Sequence, residues 1–222
     1  METAIALFFS DLRETSPSVT PAIEYLANSY SLKGGVLMAL LFLSAAHSRQ
    51  KFFSSGNLHI VRSGAAIFLS MFAARVLQLT LPHRDRPYFF TEEEYAGAVY
   101  TGMSSFPSDH AVLMTCISAA ILMRNRMIGL FALAWTLLII LLPRIYLGWH
   151  HPTDILAGIA IGGGVCWAVM RAPAPRGLQA SIENLENNYA APLFLLAFAF
   201  AVETARNFED ARAAARMLLD MI

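Results

Sequence analysis

The amino-acid sequence predicts an all-α protein, a polytopic membrane helix bundle with five to six transmembrane helices. Of its 222 residues, 56% are hydrophobic and only 14% are charged. A soluble domain usually carries about 25% charged residues, so this chain has too few to cover a globular surface. The apolar residues also fall into runs of membrane-spanning length. We therefore expect a single integral-membrane domain over residues 1–222.

The charge balance argues against nucleic acid as a partner. Lys and Arg number 16, as do Asp and Glu, so the net charge is zero, and no basic arm or patch stands out. The cysteines, Cys116 and Cys166, lie in apolar helical runs, which favours packed thiols over a disulfide or a metal site. The bilayer is the expected partner, and the sequence leaves the oligomeric state open.

The N-terminal part is predicted to be an interfacial segment over residues 1–30. Thr20-Pro21 resembles an N-cap followed by proline in the first helical turn. The apolar face that follows favours a helix lying on the membrane surface rather than a span.

The core is predicted over residues 31–170, with all motifs within 75–154. Its spans are expected at about 31–47, 58–81, 108–124, 127–147 and 152–170. A polar connection at about 82–107 is long enough to suggest a function. In the last span, Gly158 and Gly162 have the small-xxx-small spacing that favours close helix packing.

The C-terminal part, residues 177–222, is predicted to hold an apolar segment and an amphipathic tail. The apolar run at about 190–203 is marginal in length, so both a sixth span and a re-entrant piece remain open. The tail at about 205–222 has a helical apolar stripe typical of a surface helix.

Basic residues predict the orientation in the membrane. Three connections carry them in pairs: Arg49 and Lys51, Arg124 and Arg126, Arg171 and Arg176. The positive-inside rule makes their side cytoplasmic. The 82–107 segment and the 148–152 turn then lie together on the outer side.

Polar residues crowd the turn before the last core span. Arg144, His150 and Asp154 lie there, and charge at a membrane boundary marks a candidate functional site. From the first turn of a helix, Asp154 can accept a proton from one imidazole nitrogen, leaving the other as a base or nucleophile. Arg144 has donors suited to a phosphate. A helix cap with juxtamembrane charges would leave the same pattern.

Two more stretches add to this turn, Arg84-Asp85-Arg86-Pro87 and Phe106-Pro107-Ser108-Asp109-His110. Together the three resemble the tripartite signature of the type 2 phosphatidic acid phosphatase (PAP2) superfamily, which reads Lys-x6-Arg-Pro, Pro-Ser-Gly-His and Ser-Arg-x5-His-x3-Asp. The resemblance covers about residues 58–170. The matching positions are Arg86 and Pro87, then Pro107, Ser108 and His110, then Arg144, His150 and Asp154.

The resemblance implies a phosphatase of membrane lipid phosphates that needs no cofactor and no metal. It implies that His150 attacks phosphorus and becomes a phosphohistidine, that Asp154 orients it, and that His110 protonates the leaving oxygen. The phosphoryl oxygens would be held by Arg86, Arg144 and Ser108. Helix N-termini, expected at the second and third motifs, would add further N–H donors.

Three positions depart from the signature. Leu79, Asp109 and Pro143 stand where it has lysine, glycine and serine. Arg75, one helical turn before Leu79, is predicted to supply the lost cation, with Arg84 as the rival donor. Alternatively, Arg75 only pairs with a carboxylate or a carbonyl for stability.

The aspartate in Ser-Phe-Pro-Ser-Asp-His, residues 105–110, is similar to the bacterial undecaprenyl-diphosphatase branch. This likeness implies hydrolysis of undecaprenyl diphosphate to undecaprenyl phosphate at the outer face of a bacterial inner membrane. Other lipid phosphates remain alternatives: phosphatidylglycerol phosphate, phosphatidic acid and lipid A. A lipid phosphotransferase and a non-catalytic lipid-phosphate binder remain alternatives as well.

Overall fold

The computed structural model describes residues 2–46, 58–87, 104–209 and 217. All regular structure in these residues is helical, which confirms the predicted class. The α-helices are α1 (Glu2–Thr15), α2 (Thr20–Asn28), α3 (Val36–Ala46), α4 (Leu58–Thr80), α5 (Asp109–Arg124), α6 (Arg126–Trp135), α7 (Leu142–Tyr146), α8 (Pro152–Arg171) and α9 (Leu178–Ala205). Two π-helical stretches, Ser31–Gly35 and Thr136–Leu141, lead into α3 and join α6 to α7.

Several helices are long and apolar enough to cross a bilayer. Within the described residues they are Leu58–Thr80, Arg126–Tyr146, Pro152–Arg171 and Leu178–Ala205. Thr20–Asn28 and Ser31–Ser44, bent by 62° to one another, add a fifth if they count as one broken span. The prediction of a polytopic membrane helix bundle is therefore confirmed.

Helix α5 lies at the centre of the bundle. Its 16 residues span only about 24 Å, yet ten of them are buried, and it packs against α3, α4, α6 and α8. A Cβ built at Gly158 would lie 2.5 Å from the Ala111 Cβ, and one at Gly162 would lie 2.1 Å from the Val112 carbonyl oxygen. These glycines therefore let α8 approach α5 closely, as their spacing predicts.

The apolar run at 190–203 lies in the part of α9 that follows a break in the helix. Helix α9 has 28 residues and is kinked at Tyr189, where φ is −137° and ψ is 37°. Pro192 explains the kink, because it lacks the N–H that would bond to the carbonyl of residue 188 and its ring crowds that carbonyl. The predicted amphipathic tail falls almost wholly outside the described residues.

Two helices, α1 and α2, make up the segment predicted as interfacial. Helix α2 begins at Thr20, so the predicted N-cap is the first helical residue and Val19 takes the cap position. The Thr20 hydroxyl lies 3.0 Å from the Tyr146 hydroxyl. The Phe9 ring of α1 meets the Tyr146 ring edge-on, with centroids 5.9 Å apart. Both helices thus pack at the C-terminal end of α7.

The starts of α5 and α8 lie at one end of the bundle, and the start of α4 and the end of α8 lie at the other. At one end, the Ser108 amide donates to the Asp154 carbonyl at 3.3 Å, joining the starts of α5 and α8. At the other, the Arg62 guanidinium donates to the Ala172 carbonyl, joining the start of α4 to the end of α8. The three motif stretches therefore share one end of the bundle, as the basic residues at 124–126 and 171–176 predict.

Candidate active site

Backbone hydrogen bonds hold the three motif stretches together. The Ser105 amide donates to the Arg84 carbonyl at 2.9 Å, and the Ser105 hydroxyl donates to the Asp85 carbonyl at 3.2 Å. The bond from Ser108 to Asp154 joins the second stretch to the third. Side chains from stretches far apart in sequence therefore have fixed positions relative to one another.

The His150 imidazole lies at the centre of the site and is 6% exposed. Its Nδ1 lies 3.0 Å from the Ser105 carbonyl oxygen and 3.7 Å from Oδ2 of Asp154. Both oxygens can only accept, so Nδ1 carries the proton. The lone pair is then on Nε2, which lies 3.5 Å from Nη1 of Arg86. This is the tautomer that a nitrogen nucleophile needs.

Electrostatics keep His150 neutral. Burial is the largest cause that lowers the pKa of His150 below its ordinary value of 6.5. Arg86 and Arg144 lower this pKa further, while Asp154 opposes the shift. A neutral imidazole is the nucleophilic form, so the site favours the reactive state near neutral pH.

Asp154 lies in the first turn of α8 and is fully buried. Its Oδ2 accepts from the His151 amide at 2.8 Å, and its Oδ1 accepts from Nη1 of Arg84 at 2.7 Å. The helix N-terminus adds a favourable partial charge. The carboxylate is thus fixed between Arg84 and His150.

Arg84 is engaged by oxygen acceptors. Besides Asp154, its Nη1 donates to the Thr153 hydroxyl at 2.8 Å, and its Nη2 donates to Oε2 of Glu2 at 2.6 Å. These contacts favour a role in holding Asp154, and the predicted phosphate-binding role stays a prediction. Nothing in the sequence pattern indicates Glu2 or Thr153.

Arg86 and Arg144 both contact the Trp149–His150 turn. Nη1 of Arg86 donates to the Trp149 carbonyl at 2.9 Å. Arg144 is 1% exposed, donates to the Ile140 carbonyl at 2.7 Å, and lies 5.9 Å from the Trp149 ring centroid. Two permanent cations therefore border the nucleophile.

Ser108 has the features of a phosphate ligand. It is the N-cap of α5, has an extended backbone, and is fully buried. Among the residues that the structure describes, its hydroxyl has no hydrogen-bond partner. Leaving a buried hydroxyl unsatisfied costs about 1–3 kcal/mol. An anion at this helix N-terminus would satisfy the hydroxyl along with free N–H groups.

Arg75 pairs with a carboxylate, the alternative that the sequence left open. Its Nη2 lies 3.6 Å from Oδ2 of Asp109. Gln78 donates to the other carboxylate oxygen and, at 3.0 Å, to the Pro107 carbonyl. Leu79 is 77% exposed, so a lysine there would point out of the bundle. Arg75 thus reaches the second motif through Asp109, and its phosphate-binding role stays a prediction.

His110, in the first turn of α5, meets the end of α9. Its Nδ1 lies 3.5 Å from Nδ2 of Asn207, a residue that is 4% exposed. Asn207 has a φ of 57°, a conformation that asparagine adopts more readily than most residues. From the sequence this position was expected in a surface tail, and no local pattern indicates the contact.

No group of three His, Cys, Asp or Glu side chains in the described part of the chain is placed to hold a metal ion. The expectation of a metal-free reaction stays a prediction.

Residues 59–177, a little over half of the chain, match the PAP2 superfamily. Undecaprenyl-diphosphatase BcrC of Bacillus subtilis (strain 168) is 28% identical over 144 residues, which cover 62% of this chain and 64% of that protein. Putative undecaprenyl-diphosphatase YbjG of Escherichia coli (strain K12) is 30% identical over 103 residues, 46% of this chain and 51% of that protein. The match spans less than two thirds of either relative. No solved structure shows significant similarity.

Proposed function

Because the chain belongs to the PAP2 superfamily, we propose that it is a membrane phosphatase that converts undecaprenyl diphosphate to undecaprenyl phosphate. The observation that supports the chemistry is His150, with Nδ1 held by the Ser105 carbonyl at 3.0 Å. Its Nε2 is directed towards Arg86. The choice of lipid is supported by the likeness to two proteins with that name and by the helices of membrane-spanning length.

In the first step, Nε2 of His150 attacks the terminal phosphorus of the lipid diphosphate. The bond from this phosphorus to the bridging oxygen breaks, and undecaprenyl phosphate leaves. His110 donates a proton to the departing oxygen, a contribution of about 10²–10⁴-fold for a general acid. The phosphohistidine keeps the phosphoryl group while the lipid product departs.

Charge on the phosphoryl oxygens would be stabilised by Arg86, Arg144 and Ser108. Both guanidinium groups keep their charge at any relevant pH. The Ser108 hydroxyl, fully buried at the start of α5, offers a donor already in place. Fixed donors of this kind usually give the largest single contribution to phosphoryl transfer.

In the second step, water attacks the phosphohistidine. His110, now neutral, takes a proton from that water, and the bond between phosphorus and Nε2 breaks. Inorganic phosphate leaves, and both His150 and His110 return to their starting states. No metal and no cofactor enter either step.

The proposed location is a bacterial inner membrane, with the site at the outer face. The positive-inside rule supports this orientation, because Arg124, Arg126 and Arg171 lie at the opposite helix ends. The lipid would present its diphosphate at the membrane boundary and keep its chain in the bilayer.

A substrate panel tests the proposal. The purified protein is assayed for phosphate release from undecaprenyl diphosphate, phosphatidylglycerol phosphate, phosphatidic acid and a lipid A phosphate, with His150→Ala as the control. We expect the highest kcat/KM for undecaprenyl diphosphate. A preference for a monophosphate would contradict the choice of lipid. Transfer of labelled phosphate to a lipid or sugar would indicate a phosphotransferase, and binding without turnover would indicate a carrier.

A further inference from the structure

The N-terminal helix reaches the candidate site through one carboxylate. Oε2 of Glu2 accepts from Nη2 of Arg84 at 2.6 Å, and Oε1 accepts from the Thr153 hydroxyl. Arg84 donates through Nη1 to Asp154 at 2.7 Å. A series of charge-assisted bonds therefore leads from Glu2 to the carboxylate that lies 3.7 Å from Nδ1 of His150.

Glu2 balances the charge of Arg84. A guanidinium 2.7 Å from Asp154 would by itself offset most of the negative charge that the carboxylate presents to His150. A second carboxylate on the same guanidinium restores that balance. The hydrogen bond from Thr153 and the attraction of Arg84 hold the pKa of Glu2 below its ordinary value of 4.5. Glu2 is therefore ionised at neutral pH.

We propose that Glu2 is a positioning residue of this site, because by holding Arg84 it sets how strongly Asp154 acts on His150. The inference rests on the proposed hydrolytic function. Glu2 lies outside residues 59–177, the part of the chain that matches the superfamily. The N-terminal helix α1 is then a working part of the site rather than only a membrane-surface element.

Substitution Glu2→Gln tests the proposal, because it removes the charge and keeps the size and the acceptor for Thr153. The charged groups that face His150 are Asp154 on α8, Arg86 on the segment that follows α4, and Arg144 on α7. With Glu2 neutral, the uncompensated charge of Arg84 disfavours the imidazolium. The acid limb of the kcat/KM profile should therefore move to lower pH, and kcat should fall about 3–10-fold.

The matched control is Glu14→Gln, an exposed carboxylate on the same helix, which should leave the acid limb in place. The ring-carbon NMR titration of His150 measures the same shift without turnover. If the parent protein hydrolyses no lipid phosphate, the proposed function fails, yet the titration still decides the role of Glu2. An unmoved titration in folded Glu2→Gln would overturn the proposal.

A separate contact reaches His110 from the C-terminal side. Besides its amide nitrogen 3.5 Å from Nδ1 of His110, Asn207 has an Oδ1 that is buried without a hydrogen-bond partner among the described residues. Its backbone amide donates to the Thr204 carbonyl at 3.0 Å, which anchors it to the end of α9. An amide presents both a donor and an acceptor.

We infer that Asn207 orients His110 as the acid of the proposed reaction. As the acid, His110 carries a proton on each ring nitrogen, and the Asn207 amide, turned so that Oδ1 faces the ring, accepts a hydrogen bond from Nδ1. After Nε2 has given its proton to the leaving oxygen, Nδ1 keeps its own proton, so the same bond holds the neutral ring in one orientation with Nε2 free to take a proton from water. Asn207 also lies outside residues 59–177.

Two substitutions separate this role from a structural one. Asn207→Gly removes the amide but permits the left-handed backbone, and Asn207→Asp keeps an acceptor. With undecaprenyl diphosphate we expect Asn207→Gly to lower kcat about 10-fold, with little change in KM, and Asn207→Asp to recover most of it. The loss should shrink on p-nitrophenyl phosphate, whose leaving group needs less proton donation.

Asn188→Ala, at an exposed site on α9, is the control and should behave as the parent protein. The ring-nitrogen NMR shifts of His110 provide a measurement independent of activity, and they should change in Asn207→Gly and return in Asn207→Asp. Equal losses on both substrates, or unchanged shifts in Asn207→Gly, would overturn this inference. Inactivity of the parent protein would count against the proposed function alone.

Discussion

At His150, two oxygen acceptors determine which nitrogen can react. The Ser105 carbonyl and Asp154 lie 3.0 Å and 3.7 Å from Nδ1, which leaves Nε2 as the nucleophile. His150→Ala should therefore abolish both turnover and the acid-labile phosphoenzyme, detected after rapid quenching with labelled substrate. His83→Ala, an exposed histidine, is the matched control and should keep both. A phosphoenzyme in His150→Ala would show that the nucleophile is another residue.

The pH dependence follows from the same imidazole. Because burial lowers the pKa of His150 from 6.5, the neutral form persists below pH 6.5, and kcat/KM should fall only as the pH drops through that lowered pKa. Arg86 contributes to the lowering, so Arg86→Gln should move the acid limb to higher pH, whatever it does to the maximum rate. A limb that stays in place, or that moves downwards, would contradict this account.

Arg75 and Asp109 should behave as a coupled pair. Their atoms are 3.6 Å apart, and Asp109 is the less exposed partner. A double-mutant cycle of Arg75→Leu and Asp109→Asn should give a coupling free energy of about 0.5–3 kcal/mol in thermal unfolding. Adding Leu79→Lys to Arg75→Leu should not restore the lost stability, because position 79 is 77% exposed and the lysine would point away from Asp109. Additive effects on unfolding with a large loss of kcat/KM would support phosphate binding instead.

The residues of the motifs can be read from the sequence, but their partners cannot. Pro152 predicts a helix start that puts Asp154 in the first turn and His150 just ahead of it, so the sequence predicts that they meet. Glu2 and Arg84 are separated by 82 positions, and Asn207 and His110 by 97. Such contacts depend on how α1 and α9 pack, which no local pattern encodes. The role of Arg75 was ambiguous from the sequence, because its two possible partners, a substrate phosphate and a carboxylate, were expected at the same helix end.

At the scale of the helix, residues typical of helix starts predicted the helix boundaries better than the polar or apolar character of the sequence did. Pro152 and Ser108 are predicted to lie at helix starts, and α8 and α5 do begin at Pro152 and Asp109. Helix α9 was harder to predict, because polar residues fill its first turns and Pro192 lies within it. The helix does not run evenly through both features, since the backbone leaves helical geometry at Tyr189, three residues before Pro192.

The contact between α5 and α8 gives a prediction at this scale. Gly162→Ala should lower the melting temperature and the activity, because its Cβ would lie 2.1 Å from the Val112 carbonyl oxygen and overpacking costs about 1–3 kcal/mol. Gly164→Ala is the matched control, since no heavy atom lies within 4 Å of its added Cβ. It should be neutral or slightly stabilising. Equal behaviour of the two variants in thermal unfolding would contradict the close approach.

For the whole molecule, the basic residues at the opposite helix ends are enough to predict that the motifs lie together. The structure agrees by independent means, since hydrogen bonds join the three motif stretches. Both ends of the described chain reach the same end of the bundle, through Glu2 and Asn207. The fold therefore closes around a site to which segments within and outside the family-matching region contribute.

Orientation in the membrane is the remaining prediction at this scale. His83 and Ala174 are both exposed and lie at opposite ends of the bundle, beside the motifs and beyond α8. His83→Cys should react with a membrane-impermeant thiol reagent added to intact cells, and Ala174→Cys should react only after lysis, because the basic ends face the cytoplasm. Cys116 and Cys166 are buried, so the parent protein provides a low background. The reverse labelling would place the site on the cytoplasmic side, which would contradict an outer-face substrate and leave the chemistry of His150 intact.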